Sequence, residues 1–135
     1  MLEKVHVFRV KPDQELLGAV TGYCTEHGIT SGVVVGIIGS LKRARLNYLM
    51  ELPGKYDSVE FEGPLEIVCA QGSVALEGDQ PIVHIHMQVS SQDLCRGGHL
   101  AEATVFSTAE VVIGELGYQL HRRFDSYTGL KELQD

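Results

Sequence analysis

The sequence predicts an α+β fold in which one main helix packs on a mainly antiparallel β-sheet. Only one segment, near the start of the chain, combines helical spacing of apolar residues with signals for a helix start and end. After it, β-branched runs recur at short intervals and are separated by Gly, Pro, Asp and Ser. No segment of helix length interrupts these runs, which excludes a doubly wound parallel fold. The 135 residues fit a single domain over 1–135.

A change in the spacing of apolar residues predicts a strand followed by a helix at the start of the chain. Residues 5–10, "VHVFRV", alternate as a half-buried strand does, and the next segment, 11–28, has the spacing of a helix. Pro12, Asp13 and Glu15 suit its first turn and Gly28 can end it. Its apolar residues at helical spacing are Leu16, Leu17, Val20, Tyr23 and Cys24.

Eight further runs predict strands. They are "SGVVVGII" (31–38), "RARLNYLM" (43–50), "YDSVEFEG" (56–63), "PLEIVCAQGSVAL" (64–76), "PIVHIHMQV" (81–89), "HLAEATVF" (99–106), "EVVIGEL" (110–116) and "YQLHRRF" (118–124). The tail "TGLKELQD" (128–135) is expected to form a last helical turn.

Composition argues against several classes of function. The net charge of −7 repels phosphate backbones, so nucleic-acid binding would need a local basic patch. The odd number of cysteines and the absence of a CxxC pair argue against a disulfide framework and a cysteine-based zinc site. We expect Cys24 and Cys69 to be small buried hydrophobes and Cys95 to lie exposed in a turn. No apolar run is long enough to span a membrane, and the first residues lack a leader pattern, so we expect a cytoplasmic protein.

The histidines of "HIHMQVSSQDLCRGGH" (84–99) are the strongest sign of chemistry. On a strand, His84 and His86 share one face, while Val83, Ile85 and Met87 share the other. The polar turn that follows and the next strand predict a hairpin. Folding it symmetrically about Gln92 and Asp93 sets His86 opposite His99, with His84 as the diagonal neighbour.

Three imidazoles could then converge on one ion, with a fourth position open for water, as in an exchangeable or catalytic zinc site. The alternative is a polar strand face whose histidines bond to neighbouring carbonyls. His6, His27 and His121 lack comparable partners in the sequence and are expected to be structural or surface residues.

A resemblance to a known family accompanies these histidines. The run "HIHMQVSSQDLCRGGHLAEATVFSTAEVVI" (84–113) resembles the signature of the PPC domain, the "plants and prokaryotes conserved" domain. The stretches "GIIGSLKRARLNYL" (36–49) and "YDSVEFEGPLEIVCAQGSVAL" (56–76) resemble its Gly-rich strand and central strands. HxH, GGHL and TAEVVI occur in one order, and the resemblance covers roughly residues 4–116.

The resemblance implies an antiparallel α+β domain that forms a homotrimer and holds a metal ion, zinc or another divalent transition metal, at His84, His86 and His99. Plant relatives carry an AT-hook for A·T-rich DNA, and this chain shows no such segment. Pro64 replaces the arginine of the plant core motif in "GPLEIV" (63–68), which argues against plant-type partner contacts through that arginine.

Three functions remain open from the sequence. A metal-assisted hydrolase or lyase needs a proton acceptor, for which Glu102 and, more weakly, Asp93 are candidates. Strict alternation from His99 puts Glu102 on the opposite face, so a bulge or a neighbouring subunit would have to redirect it. A DNA-binding or regulatory module would use the basic residues Lys42, Arg43, Arg45, Arg122 and Arg123. The third possibility is a small-ligand pocket at the assembled site.

Overall fold

The computed structural model describes residues 1–134 and confirms the predicted α+β class. In chain order the elements are β1 (Leu2–Val10), α1 (Leu16–Glu26), β2 (Gly32–Glu51), β3 (Lys55–Glu77), β4 (Gln80–Ser90), β5 (Cys95–Leu116), β6 (Arg122–Asp125) and β7 (Leu130–Leu133). No helix in residues 1–134 combines the length and the hydropathy needed to cross a bilayer.

Three of the strands are longer than the sequence pattern predicts. The predicted pairs 31–38 with 43–50, 56–63 with 64–76, and 99–106 with 110–116 are the single strands β2, β3 and β5. Register shifts within β2 and β5, such as the one between Leu41 and Arg43, explain why the pattern looked interrupted. A bulge breaks the apolar alternation without ending the strand.

All pairings in the sheet are antiparallel, and the strand order is β1-β5-β2-β3-β4. The first residues of β5 also pair with β4, so β2, β3, β4 and β5 form a closed circuit. Apolar residues inside this circuit and on the inner face of α1 form one core. The closed circuit therefore brings β4, β5 and β2 together at one place, which is where His86 and His99 lie.

The helix begins later than the sequence predicts. Glu15 caps the helix rather than lying in its first turn: its carboxylate accepts hydrogen bonds from the backbone N–H groups of Leu17 and Gly18, both at 2.8 Å. Asp13 lies before the helix with φ 69°. Gly28, with φ 66°, follows the last turn as expected.

Two other expectations are wrong. The tail predicted to be helical contains β7, which pairs with β6 in a separate two-stranded sheet. The pattern of apolar residues in so short a segment does not distinguish a strand from a helical turn. Cys69 is exposed rather than buried, because a bulge between Ile67 and Cys69 turns its side chain outward. Cys24 is buried and Cys95 is exposed, as predicted.

The backbones of β3 and β4 approach each other closely next to His84. Gly72 lies opposite Ile85, and a Cβ atom at Gly72 would be 1.9 Å from the carbonyl oxygen of His84. No real side chain fits this gap, so only glycine allows β4 to sit where it does. The position of His84 thus depends on a glycine of the neighbouring strand.

We expect Gly72→Ala to lower the free energy of unfolding by about 1–3 kcal/mol or more, because the added methyl group must push β4 away from β3. Urea denaturation followed by circular dichroism measures this change. The matched control is Gly36→Ala in β2, where an added Cβ has no atom within 4 Å. Equal stability of the two variants would contradict the proposed close approach.

Candidate metal centre

Two neighbouring strands carry the histidine cluster, which we define as His84, His86 and His99. His84 and His86 point away from the core on β4, whose other face buries Val83, Ile85 and Met87 as predicted. His86 is the direct cross-strand partner of His99, which confirms the register expected from a symmetric hairpin.

The three imidazole rings converge on one point. Their centroids are 4.8 Å (His84 and His99), 5.0 Å (His84 and His86) and 5.3 Å (His86 and His99) apart. One nitrogen from each ring lies within 4.8 Å of the other two. The Nε2 atoms of His84 and His86 are 3.1 Å apart. Two nitrogens bound tetrahedrally at about 2.0–2.1 Å would be separated by roughly 3.3 Å, so this spacing fits a shared ion.

Arg122 from β6 fixes the tautomer of His84. Its Nη2 lies 3.2 Å from His84 Nδ1. A guanidinium can only donate, so Nδ1 must accept, and a neutral His84 therefore carries its proton on Nε2. That Nε2–H then donates to Nε2 of His86. The chain Arg122–His84–His86 is thus a consistent set of hydrogen bonds for neutral imidazoles.

The surroundings of the cluster favour the neutral form of His84 and His99, which is the form that a metal requires. Burial, followed by the charges of His99, Arg122 and His86, lowers the pKa of His84 from 6.5 to about 4. Burial, followed by His86 and Arg122, also lowers the pKa of His99. Metal binding needs deprotonated ligand nitrogens, and the lowered pKa values mean that a second proton does not compete with the metal for either ring at neutral pH. In His84 the remaining proton must move from Nε2 to Nδ1 when Nε2 becomes the ligand.

Two buried polar atoms next to the cluster lack hydrogen-bond partners within residues 1–134. They are Asn47 Oδ1 and Arg122 Nε. Asn47 is the cross-strand partner of His99, and directly paired residues share a face of the sheet. Histidines that bind metals usually donate their second N–H to such an oxygen. The donor set of three imidazoles and the orphaned Asn47 acceptor therefore both fit a transition-metal ion.

The structure does not bring Glu102 into the cluster. A bulge places Leu100 and Ala103 in the core, so Glu102 turns outward. Such a bulge was the condition for Glu102 to share the face of His99. Its carboxylate instead meets two arginines, Arg43 and Arg45, each at 3.3 Å. Asp93 is an exposed turn residue whose N–H is oriented towards Ser91 Oγ.

The other three histidines lie outside the cluster. His6 is buried between the hydroxyl of Tyr23 and the carboxylate of Glu115. His27 is exposed and stacks on Tyr23, with ring centroids 3.9 Å apart. His121 is exposed and forms an isolated bridge with Leu76.

Sequence reasoning missed the contacts of Arg122, Tyr56 and Asn47 with this region. Arg122 was grouped with the basic residues of a possible DNA surface, and the ring of Tyr56 lies 6.0 Å from that of His99. Each of these residues is far from its histidine along the chain, and no local motif marks them. Only the folded structure shows that these residues lie near the histidines.

The comparisons with known proteins agree with this architecture. A family model of the Plants and Prokaryotes Conserved (PCC) domain, the PPC domain of the sequence analysis, matches residues 2–117. The chain belongs to this family.

Two solved structures resemble this PPC chain over nearly its whole length. A metal-containing protein from Archaeoglobus fulgidus is 27% identical with a TM-score of 0.91, and the match covers 100% of this chain and 96% of that one. A plant- and prokaryote-conserved protein from Pyrococcus horikoshii is 28% identical with a TM-score of 0.87, covering 98% and 93%.

A curated relative is much longer than this PPC chain. The bifunctional protein GlmU of Synechococcus sp. (strain JA-3-3Ab) is 30% identical over 133 residues, which is 96% of this chain. The chain spans 20% of the length of that relative. The likeness therefore concerns one segment of a larger protein.

In the metal-free protein we expect His84 to titrate near the pKa of about 4. Because the unfolded chain accepts this proton near pH 6.5, the contribution of His84 to stability is complete above 6.5 and is lost as pH falls towards 4. NMR titration of the imidazole C–H signals measures the pKa. Arg122→Gln should raise it by removing a nearby positive charge.

Arg123→Gln is the matched control, since Arg123 neighbours Arg122 in β6 but is exposed. A His84 pKa near 6.5 in the unaltered protein, or one that responds equally to both substitutions, would contradict the contact with Arg122.

Proposed function

We propose that this PPC-domain protein is a homotrimer that binds zinc, or another divalent transition metal, through His84, His86 and His99. The observation that carries the proposal is the convergence of three imidazoles from two paired strands. Imidazole nitrogens suit zinc, copper, nickel and iron. The Archaeoglobus fulgidus relative, described as metal-containing, supports the same assignment.

The composition of the cluster favours ligand binding over hydrolysis. Three protein ligands leave a fourth coordination position of the metal open for water or a small ligand. Zinc bound to the three histidines would polarise the oxygen atom in that position. Hydrolysis also needs a proton acceptor beside that oxygen. Within residues 1–134 the cluster contains no carboxylate, and Glu102 is held by arginines. We therefore propose a small-ligand site rather than a hydrolytic centre.

The charges do not favour the alternative of DNA binding. Lys42 pairs with Asp13, Arg43 lies between Glu60, at 3.9 Å, and Glu102, and Arg45 pairs with Glu102. These ion pairs neutralise the basic stretch that a DNA surface would use, and the chain as a whole carries −7.

The outer surface of the sheet supports self-association. Several exposed apolar side chains alternate with core residues and so point away from the core. They are Val5, Val7, Val35, Ile38, Val68 and Phe106. Apolar surface of this kind marks interaction sites on soluble proteins. Contact between copies of the chain would remove it from water.

We expect the protein purified without added metal to contain about one transition-metal ion per chain, set by its three ligands. A His84→Ala, His86→Ala double variant should lose the ion and keep its fold, because an open site adds no structural cross-link that the core needs. Elemental analysis by mass spectrometry and circular dichroism measure the two properties.

The control is His121→Ala, which removes an exposed histidine outside the cluster. Metal content that is negligible in the unaltered protein after exposure to zinc, or unchanged in the double variant, would refute the proposed site.

For the assembly, we expect a solution mass of three times the 14.8 kDa chain mass. Val35→Glu combined with Ile38→Glu should shift the protein towards monomers, because two carboxylates would be desolvated in the contact. Sedimentation equilibrium measures the mass. Thr25→Glu, on the exposed side of α1, is the control and should leave it unchanged. A monomeric unaltered protein would contradict the assembly.

A further inference from the structure

We propose that the cavity beside the histidine cluster binds a small organic carboxylate, held between the Arg122 guanidinium and Nδ1–H of His84. The inference rests on the proposed metal binding and assigns the class of ligand that accompanies it. It follows from the shape of the cavity, the hydrogen bonds of Arg122 and the charges around it.

The cavity is open and has a volume of about 370 Å³. His84 and His99 form one side, and the β6–β7 hairpin contributes Arg122, Leu130 and Lys131 to the other. The volume lies at the lower end of the range for ligand pockets, which suits a molecule of a few heavy atoms.

Arg122 is held firmly at the edge of this cavity. Its Nη1 donates to the carbonyl of Lys131 at 3.0 Å, and its Nη2 donates to Ser73 Oγ at 2.9 Å. Its Nε is buried without a partner, and Arg122 forms no salt bridge within residues 1–134. A fixed guanidinium without a carboxylate partner is suited to an external oxyanion.

Metal binding changes what this edge of the cavity requires. When His84 uses Nε2 as a ligand, its proton must reside on Nδ1. Nδ1–H and the Arg122 Nη2 group, 3.2 Å apart, are then both donors and can no longer bond to each other. Metal-binding histidines normally donate this N–H to a carboxylate or a carbonyl. Here an arginine occupies that place, so an acceptor from outside the chain would satisfy both donors at once.

The charges of the cavity point the same way. Four charged side chains line it, and Lys131 pairs with Glu77, which leaves Arg122 and Glu132 to offset each other. A divalent ion on the cluster would make the surroundings positive. Anion binding should therefore depend on metal loading, and metal binding should by reciprocity tighten when the anion is present.

The remaining wall favours a carboxylate with a short hydrocarbon chain over an inorganic anion. Ile82 and Leu130 line the cavity next to the polar edge. Methylene groups packed against these side chains leave water, which adds affinity for each carbon buried. A planar carboxylate also matches the guanidinium in two-point geometry.

The test is isothermal titration of butyrate into zinc-loaded protein and into protein stripped with a chelator. We expect zinc to tighten butyrate binding by about tenfold or more, within the usual range of coupling between sites. Butyramide, which has the same shape without the charge, should bind much more weakly. Inorganic phosphate should bind more weakly than butyrate, and tighter binding of phosphate would overturn the assignment to a carboxylate.

Substitutions on the hairpin separate the ligand site from the metal site. Arg122→Gln should weaken butyrate binding by about ten- to a hundredfold while keeping its zinc content, because it removes a charged donor but no metal ligand. Arg123→Gln should leave binding unchanged. Glu132→Gln should tighten binding by about two- to fivefold, because it removes a half-buried negative charge that repels the carboxylate. Arg122→Lys keeps the charge but loses the planar set of guanidinium donors, so its affinity for butyrate should be intermediate.

The outcomes distinguish the two proposals. Failure of the unaltered protein to take up zinc would overturn both. Normal zinc uptake with equal butyrate affinity in loaded and stripped protein would overturn the carboxylate site alone. Binding of butyrate to Arg122→Gln as tightly as to the unaltered protein would do the same.

Discussion

The structure depends on the short antiparallel pairing of β4 with the first residues of β5, from His86 opposite His99 to Ser90 opposite Cys95. This pairing closes the circuit of four long strands, because β5 pairs with β2 further along. Ladder hydrogen bonds fix which residues face each other, and a slip of one residue would turn His99 into the core. The same few backbone bonds therefore complete the sheet and assemble the histidine cluster.

The electrostatics of the cluster follow from what the neighbouring strands contribute. No carboxylate joins the three imidazoles within the part of the chain described, and the nearest charged partner of His84 is Arg122. Partial burial and this positive neighbour both lower the pKa of His84, which keeps the ring neutral at neutral pH. The same positive neighbour leaves the second nitrogen of His84 without the usual acceptor. One side chain thus favours neutral His84 and His99 and supports the proposed anion site.

Local pattern predicted the parts of this protein that depend on local geometry. The alternation of residues 83–87 placed His84 and His86 on one face because side chains on any strand alternate, and the symmetric turn about Gln92 and Asp93 gave the correct partner for His99. The long strands were divided wrongly because bulges interrupt the alternation without breaking the ladder. Cys69 and the tail were misjudged for different reasons: a bulge reorients Cys69, and the tail pairs with the preceding strand β6 in a hairpin.

By itself the sequence determined the α+β class, the helix near the start and the three candidate ligands, since each is a matter of spacing along one or two adjacent elements. Its resemblance to the PPC domain indicated the family. Only the tertiary structure decided that Glu102 is occupied by Arg43 and Arg45, and that Arg122 reaches His84. Arg122 lies 38 residues from His84 along the chain. Contacts at such separation are set by how the sheet closes and where the last hairpin packs, and no spacing rule records them.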